Sequence, residues 1–181
     1  CYNTGSVNNS ENYYTAGIVG YNDGLVENCY NSGTINGLYC VGGISGYNSE
    51  IIESCYNTGD ITGENNIAGV TAQNNYGKVY NCYNTGKIES TDIFAGYAAG
   101  IVSANSNASA IVENCYSIGN VVGNVDYIGG VVGSISAGSV TNCYYNNTVF
   151  TGNVCAGQTG GTLTASGKTT TEFASADMAA L

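Results

Sequence analysis

At 181 residues the chain can hold one domain with a sizeable core, and its 13 acidic residues against Lys78, Lys87 and Lys168 give a net charge of −10. That charge repels phosphate backbones and anionic lipid, so nucleic-acid binding is excluded, and no apolar run of about eighteen residues is present to insert in a membrane. The 27 Gly recur at matched positions rather than pooling in a linker, which makes this ordered repetition and not low complexity.

The chain opens on Cys1-Tyr2-Asn3-Thr4-Gly5-Ser6-Val7, and Cys-Tyr returns at 29, 55, 82, 115 and 143, with periods of 28, 26, 27, 33 and 28 residues. A unit recurring at fixed internal length is a structural repeat. Because the chain starts in mid-repeat without an initiator Met, it is expected to be continuous with further domains of a longer protein.

Each repeat offers three strand-like segments. In the first, period-two alternation places Val7, Ile35, Ile61, Ile88 and Val121 inward, together with the Gly, Asn and Cys that precede them at every second position. Ser6, Thr34, Asp60, Lys87 and Asn120 are then outward, as are Tyr2, Tyr30, Tyr56, Tyr83 and Tyr116. The second segment is Ala16 to Gly20, matched by Gly42 to Gly46, Ala68 to Ala72, Ala99 to Ser103 and Gly129 to Gly133, with Ile or Val always third. Its flanking small residues suit a bend where coils approach closely. The third segment carries Val26, Ile52, Val79, Val112 and Val140 inward, and leads through an Asn or Ser corner into the next Cys-Tyr.

Three short strands per turn of about 27 residues, with β-branched residues in register, predict a parallel β-helix of five to six coils over residues 1–163. An antiparallel sandwich is the competing architecture, but hairpins do not need ten-residue units in phase. Val149, Val154 and Leu163 are expected to finish a partial last coil. Residues 164–181 are expected to form a cap or linker, with a Thr-capped helix carrying Phe173, Ala176, Met178, Ala180 and Leu181.

The repeats resemble those of GLUG-motif proteins. The resemblance rests on Gly17-Ile18-Val19-Gly20, Gly43-Ile44-Ser45-Gly46 and Gly130-Val131-Val132-Gly133, each followed by an aliphatic-x-Asn/Ser-Cys-Tyr segment. It implies a repeat scaffold in an exported or surface-attached bacterial protein, extracellular or at the cell surface, and carries over no catalytic residue.

Several columns of side chains are candidates for chemistry. Cys29, Cys55, Cys82 and Cys115 stack at one repeated position. Their Cα spacing of about 4.8 Å would allow a disulfide, but their Cβ vectors run parallel, so a buried ladder of reduced thiols is expected. With no His and a spacing of about 27 residues, no zinc motif is formed. Asn3, Asn31, Asn57 and Asn84 are expected to stack as an amide ladder hydrogen-bonded from coil to coil. The file Tyr2, Tyr30, Tyr56, Tyr83 and Tyr116 is the surface most open to a binding role, as a strip for glycan or a host protein. No cofactor is indicated. Calcium on loop acids such as Asp23, Glu50, Asp92 or Asp126 would lack any recognised calcium motif. The acids Glu27, Glu53 and Glu113 form a dispersed row, unlike the paired carboxylates of a carbohydrate-active β-helix enzyme, which is the alternative reading. The function expected is a non-enzymatic structural or adhesion module, acting as stalk or as binding surface.

Overall fold

A computed structural model describes residues 1–11, 13–91 and 96–174. The chain winds as an all-β parallel solenoid of about six coils, in which each residue sits over its counterpart about 27 positions away. Tyr56 N donates to the Cys29 carbonyl at 3.1 Å and Thr58 N to that of Asn31 at 2.8 Å, so backbone groups are satisfied between coils and not within them. The antiparallel competitor is thereby set aside.

The three expected segments resolve into five strand columns. Column a begins with Tyr2–Asn3, column b with Val7–Asn9, column c with Thr15–Ala16, column d with Val19–Asn22 and column e with Leu25–Glu27. The first segment breaks at its Gly, where a corner separates columns a and b. The second breaks after Gly17 and its equivalents, separating c from d. Columns b and c each stack five strands and column d stacks six. Columns a and e are joined into one eleven-stranded sheet by the eight-residue strand Ser139–Asn146, which belongs to both.

The expected inward faces are in place, with Ile35, Ile61, Ile88, Ile52, Val79 and Val112 fully buried. A further inward column, Val41, Ile67 and Ala98 in register, lies one residue ahead of where the second segment was expected to start. Alternation hides it because Cys40 and Asn66 adopt left-handed backbone at φ 49 and 56 and shift the phase. The coil therefore buries four aliphatic positions, as in Ile35, Val41, Ile44 and Ile52, where three were expected.

The interior is divided in two. One apolar lobe gathers Ile44, Ile52, Val70, Val79 and the stacked cysteines, and the other gathers Ile35, Val41, Ile61, Ile67 and Ile88. Between them the wall formed by column a meets the turn between columns c and d. A Cβ added to Gly43 would lie 2.7 Å from Asn57 Cγ, and one added to Gly17 would lie 2.7 Å from Asn31 Cγ. Only a residue without a side chain fits there, so glycine sets the waist of the cross-section.

The last coil is abbreviated. After Asn146 the chain cuts across the end of the solenoid to Cys155–Gln158, which stacks on column d, and then to Thr162–Lys168, which stacks on Ser139–Asn146. Val149, expected to help finish the last coil, is exposed. Phe150 takes its place and packs against both lobes, while Val154 and Leu163 line the core as expected. The boundary expected at residue 163 falls inside the final strand, which runs to Lys168. Thr169 then caps the short helix Thr170–Phe173 in a reciprocal capping box with Glu172. Ala176, Met178, Ala180 and Leu181 lie outside the described residues.

Candidate functional site

The amide ladder occupies the waist. Asn3 Nδ2 donates to Asn31 Oδ1, Asn31 Nδ2 to Asn57 Oδ1 and Asn57 Nδ2 to Asn84 Oδ1, each at 2.7 Å. The column ends at Ser117 Oγ, 3.3 Å from Asn84 Nδ2. The second amide hydrogen of each goes to the carbonyl two residues ahead, as in Asn57 Nδ2 to Gly59 O at 2.7 Å. Every buried donor is thus used, which is the condition for a polar column between two apolar lobes.

A second buried amide ladder was not foreseen. Asn22, Asn48, Asn74 and Asn105 close the turn from column d to column e, linked Nδ2 to Oδ1 at 2.7, 2.9 and 2.8 Å. Its signal was present in the sequence, since each of these Asn follows the Ile or Val of the second segment by four positions.

The cysteines have a specific task at the corner between columns e and a. Asn28, Ser54, Asn81, Asn114 and Asn142 hold left-handed backbone at φ 50 to 56. Each following thiol donates back to the carbonyl two residues earlier, at 3.1 Å from Cys29 to Glu27 and 3.0 Å from Cys82 to Tyr80. All eight cysteines are free thiols. Burial pushes Cys82 and Cys115 well above the ordinary thiol range, while the contact with Cys115 and burial together do the same for Cys143. These three thiols are held protonated and supply no thiolate, whereas the contact with Cys82 shifts the Cys55 thiol downward. Among the described residues no three His, Cys, Asp or Glu side chains are grouped as a metal would need, and Asp92 lies outside them.

The tyrosine file is a continuous stack. Tyr2, Tyr30, Tyr56, Tyr83 and Tyr116 follow with ring centroids 5.3, 5.1, 4.8 and 5.1 Å apart and planes within 9° of parallel, and Phe173 rests on Tyr116 at 5.9 Å. Each ring face is covered by the next ring, so solvent meets edges and phenolic hydroxyls. Only Tyr2, 68% exposed, has a free face. A sugar that stacks needs an open ring face, which the inner rings of the file do not present.

Glu27, Glu53 and Glu113 share one outward row with Tyr80 and Thr141. The acids near Lys87 are used locally: Lys87 Nζ pairs with Glu89 at 2.8 Å, and Lys87 N donates to Asp60 at 2.9 Å. The waist leaves a groove on the outside, between columns c and d, of about 360 Å³. None of the described residues lining it is a carboxylate.

The model of the GLUG motif matches residues 11–36 and 37–62, one coil each. The chain carries GLUG repeats. No curated protein and no solved structure matches the chain. In the two GLUG repeats the opening glycines, Gly17 and Gly43, are those pressed on the amide ladder at the waist. The closing Gly46 lies where column d passes column c, and a Cβ there would come within 2.8 Å of the Cys40 and Gly20 carbonyls. Ala72 and Ser103 take the closing position in later coils, and the register Ser45, Thr71, Val102, Val132 runs through them without a shift. The GLUG matches and the parallel solenoid fit a structural repeat module.

Proposed function

We propose that this module is a non-catalytic spacer in an exported, surface-attached bacterial protein, holding the segments on either side of it at a fixed separation. The observation that carries this reading is continuity: through the first five coils the strand columns and the tyrosine stack keep one register, and the amide ladder runs unbroken through the first four. In such a solenoid each coil is held by its neighbours, so bending requires many contacts to open together. The resemblance to GLUG proteins supports placement at the cell surface. The lack of any carboxylate lining the groove among the described residues weighs against the carbohydrate-active enzyme alternative. No helix of the described chain is long and apolar enough to cross a membrane.

The test uses antibodies raised against the chain on cells of the source bacterium. Labelling of intact cells, lost after brief surface proteolysis, is the expected result. Labelling only after permeabilisation would overturn the surface assignment.

A further inference from the structure

The groove between columns c and d is not uniform along the solenoid. Its floor is the outward row Tyr21, Tyr47, Gln73, Ala104, Ser134 and Gly157, one residue per coil and in register. In the first two coils that floor is filled from within. Tyr21 and Tyr47 stack at 4.8 Å, and the Tyr14 ring lies edge-on against both at 5.9 and 5.6 Å. From the third coil onward the floor shrinks to amide, methyl, hydroxyl and hydrogen, and the trough opens.

The walls of the open part differ in character. On one side stand Tyr97 and Tyr127, stacked at 5.2 Å, with Tyr127 38% exposed and lying over Gly157, where a Cβ would be 2.6 Å from its ring. On the other side runs a file of Asn75, Ser106, Ser136 and Thr159 at the end of column d. Asn75 closes the filled end by donating from Nδ2 to the Tyr47 hydroxyl at 2.7 Å, and its Oδ1 accepts from Ser106 Oγ at 3.2 Å. The described lining contains amides, hydroxyls and phenols but neither a carboxylate nor an amine, on a chain of net charge −10.

We propose that this trough binds a neutral, linear polysaccharide lying along the solenoid axis. Regularly spaced hydroxyl and amide partners along one wall, facing the ring edges and phenol hydroxyls of Tyr97 and Tyr127 on the other, match a neutral hydroxyl-rich chain. An anionic glycan would be repelled by the net charge and would find no cation in the trough. An extended peptide is disfavoured along the trough, because Thr71–Asn74, Val102–Asn105 and Val132–Ile135 are each paired on both edges, and only Cys155–Gln158 at the end of the column keeps an edge for strand addition. This inference goes beyond the spacer reading and does not depend on where the protein resides.

The sequence supplies its own blocking mutation. Tyrosine already occupies the floor in two coils, so Ala104→Tyr places there a side chain that the fold accepts elsewhere. Titration calorimetry with the intact chain would use neutral hexasaccharides of glucan, mannan, xylan and galactan types, with hexagalacturonate as the anionic arm. At least one neutral hexasaccharide should bind with a Kd below about 1 mM. Ala104→Tyr should weaken that binding about tenfold or more while keeping the urea midpoint of the parent. Asn75→Ala, a change confined to the wall, should weaken it as well, which covers the case of a destabilised Ala104→Tyr. No binding by any neutral hexasaccharide, binding of hexagalacturonate alone, or unchanged affinity in both variants would overturn the proposal.

Discussion

Replacing Asn57 by Ala removes one rung from the middle of the waist. Three hydrogen bonds go with it: those from Asn57 Nδ2 to Asn84 Oδ1 and to Gly59 O, and the one Asn57 Oδ1 accepts from Asn31, all at 2.7 Å. At about 0.5–1.5 kcal/mol each, their net loss is about 1.5–4.5 kcal/mol. Asn84 Oδ1 is also left buried without its donor, and a gap opens beside Gly43, which packs on the Asn57 amide. A total of about 3–5 kcal/mol is expected. The matched control is Asn36→Ala, which removes one exposed amide bond to Asn8 at 2.9 Å and should cost less than about 0.5 kcal/mol. Urea denaturation of both variants, followed by far-ultraviolet circular dichroism, gives the comparison. A loss below about 1 kcal/mol at Asn57, or equal losses at the two sites, would refute the waist as a structural column.

Two further consequences concern the thiols and the end of the rod. Cys82, Cys115 and Cys143 have folded-state pKa values raised above the ordinary thiol value near 9, so their stabilising effect is complete below that pH and is lost as pH rises beyond it, where the unfolded chain ionises and the folded chain does not. Each should remove about 1.4 kcal/mol per pH unit above about pH 9, and Cys115→Ala should flatten the slope of the urea midpoint against pH; a midpoint independent of pH up to about 11 would contradict this. Phe150 closes both lobes where the last coil is abbreviated, so Phe150→Ala should cost about 3 kcal/mol and raise binding of a hydrophobic dye, whereas Val149→Ala, on an exposed side chain, should do neither.

Much of this architecture was legible because coils repeat. Equivalent residues such as Ile35, Ile61 and Ile88 share one environment, so six near-copies of a short pattern reveal what a single copy would leave ambiguous. The solenoid, the inward Asn and Cys columns and the outward Tyr file follow from phase alone. What phase could not supply was the path of the backbone between strands. The left-handed residues Cys40 and Asn66 move Val41 and Ile67 inward against the apparent alternation, and the glycine corners split three segments into five strands. The shortcut through Phe150 was hidden because the last coil abandons the repeat. The groove was illegible for a different reason: its opening depends on side-chain size changing along one outward row from Tyr21 to Gly157, and that row does not stand out until the register is known.

The claim on which everything rests is that side chains about 27 residues apart lie directly over one another. Methyl–methyl nuclear Overhauser spectra of the chain labelled at Ile alone test it most directly. Stacking at about 4.8 Å per coil predicts cross-peaks between Ile35 and Ile61 and between Ile61 and Ile88, with none between Ile35 and Ile88, two coils apart. Absence of the two neighbouring cross-peaks, or a direct one between Ile35 and Ile88, would contradict the stacked-coil structure.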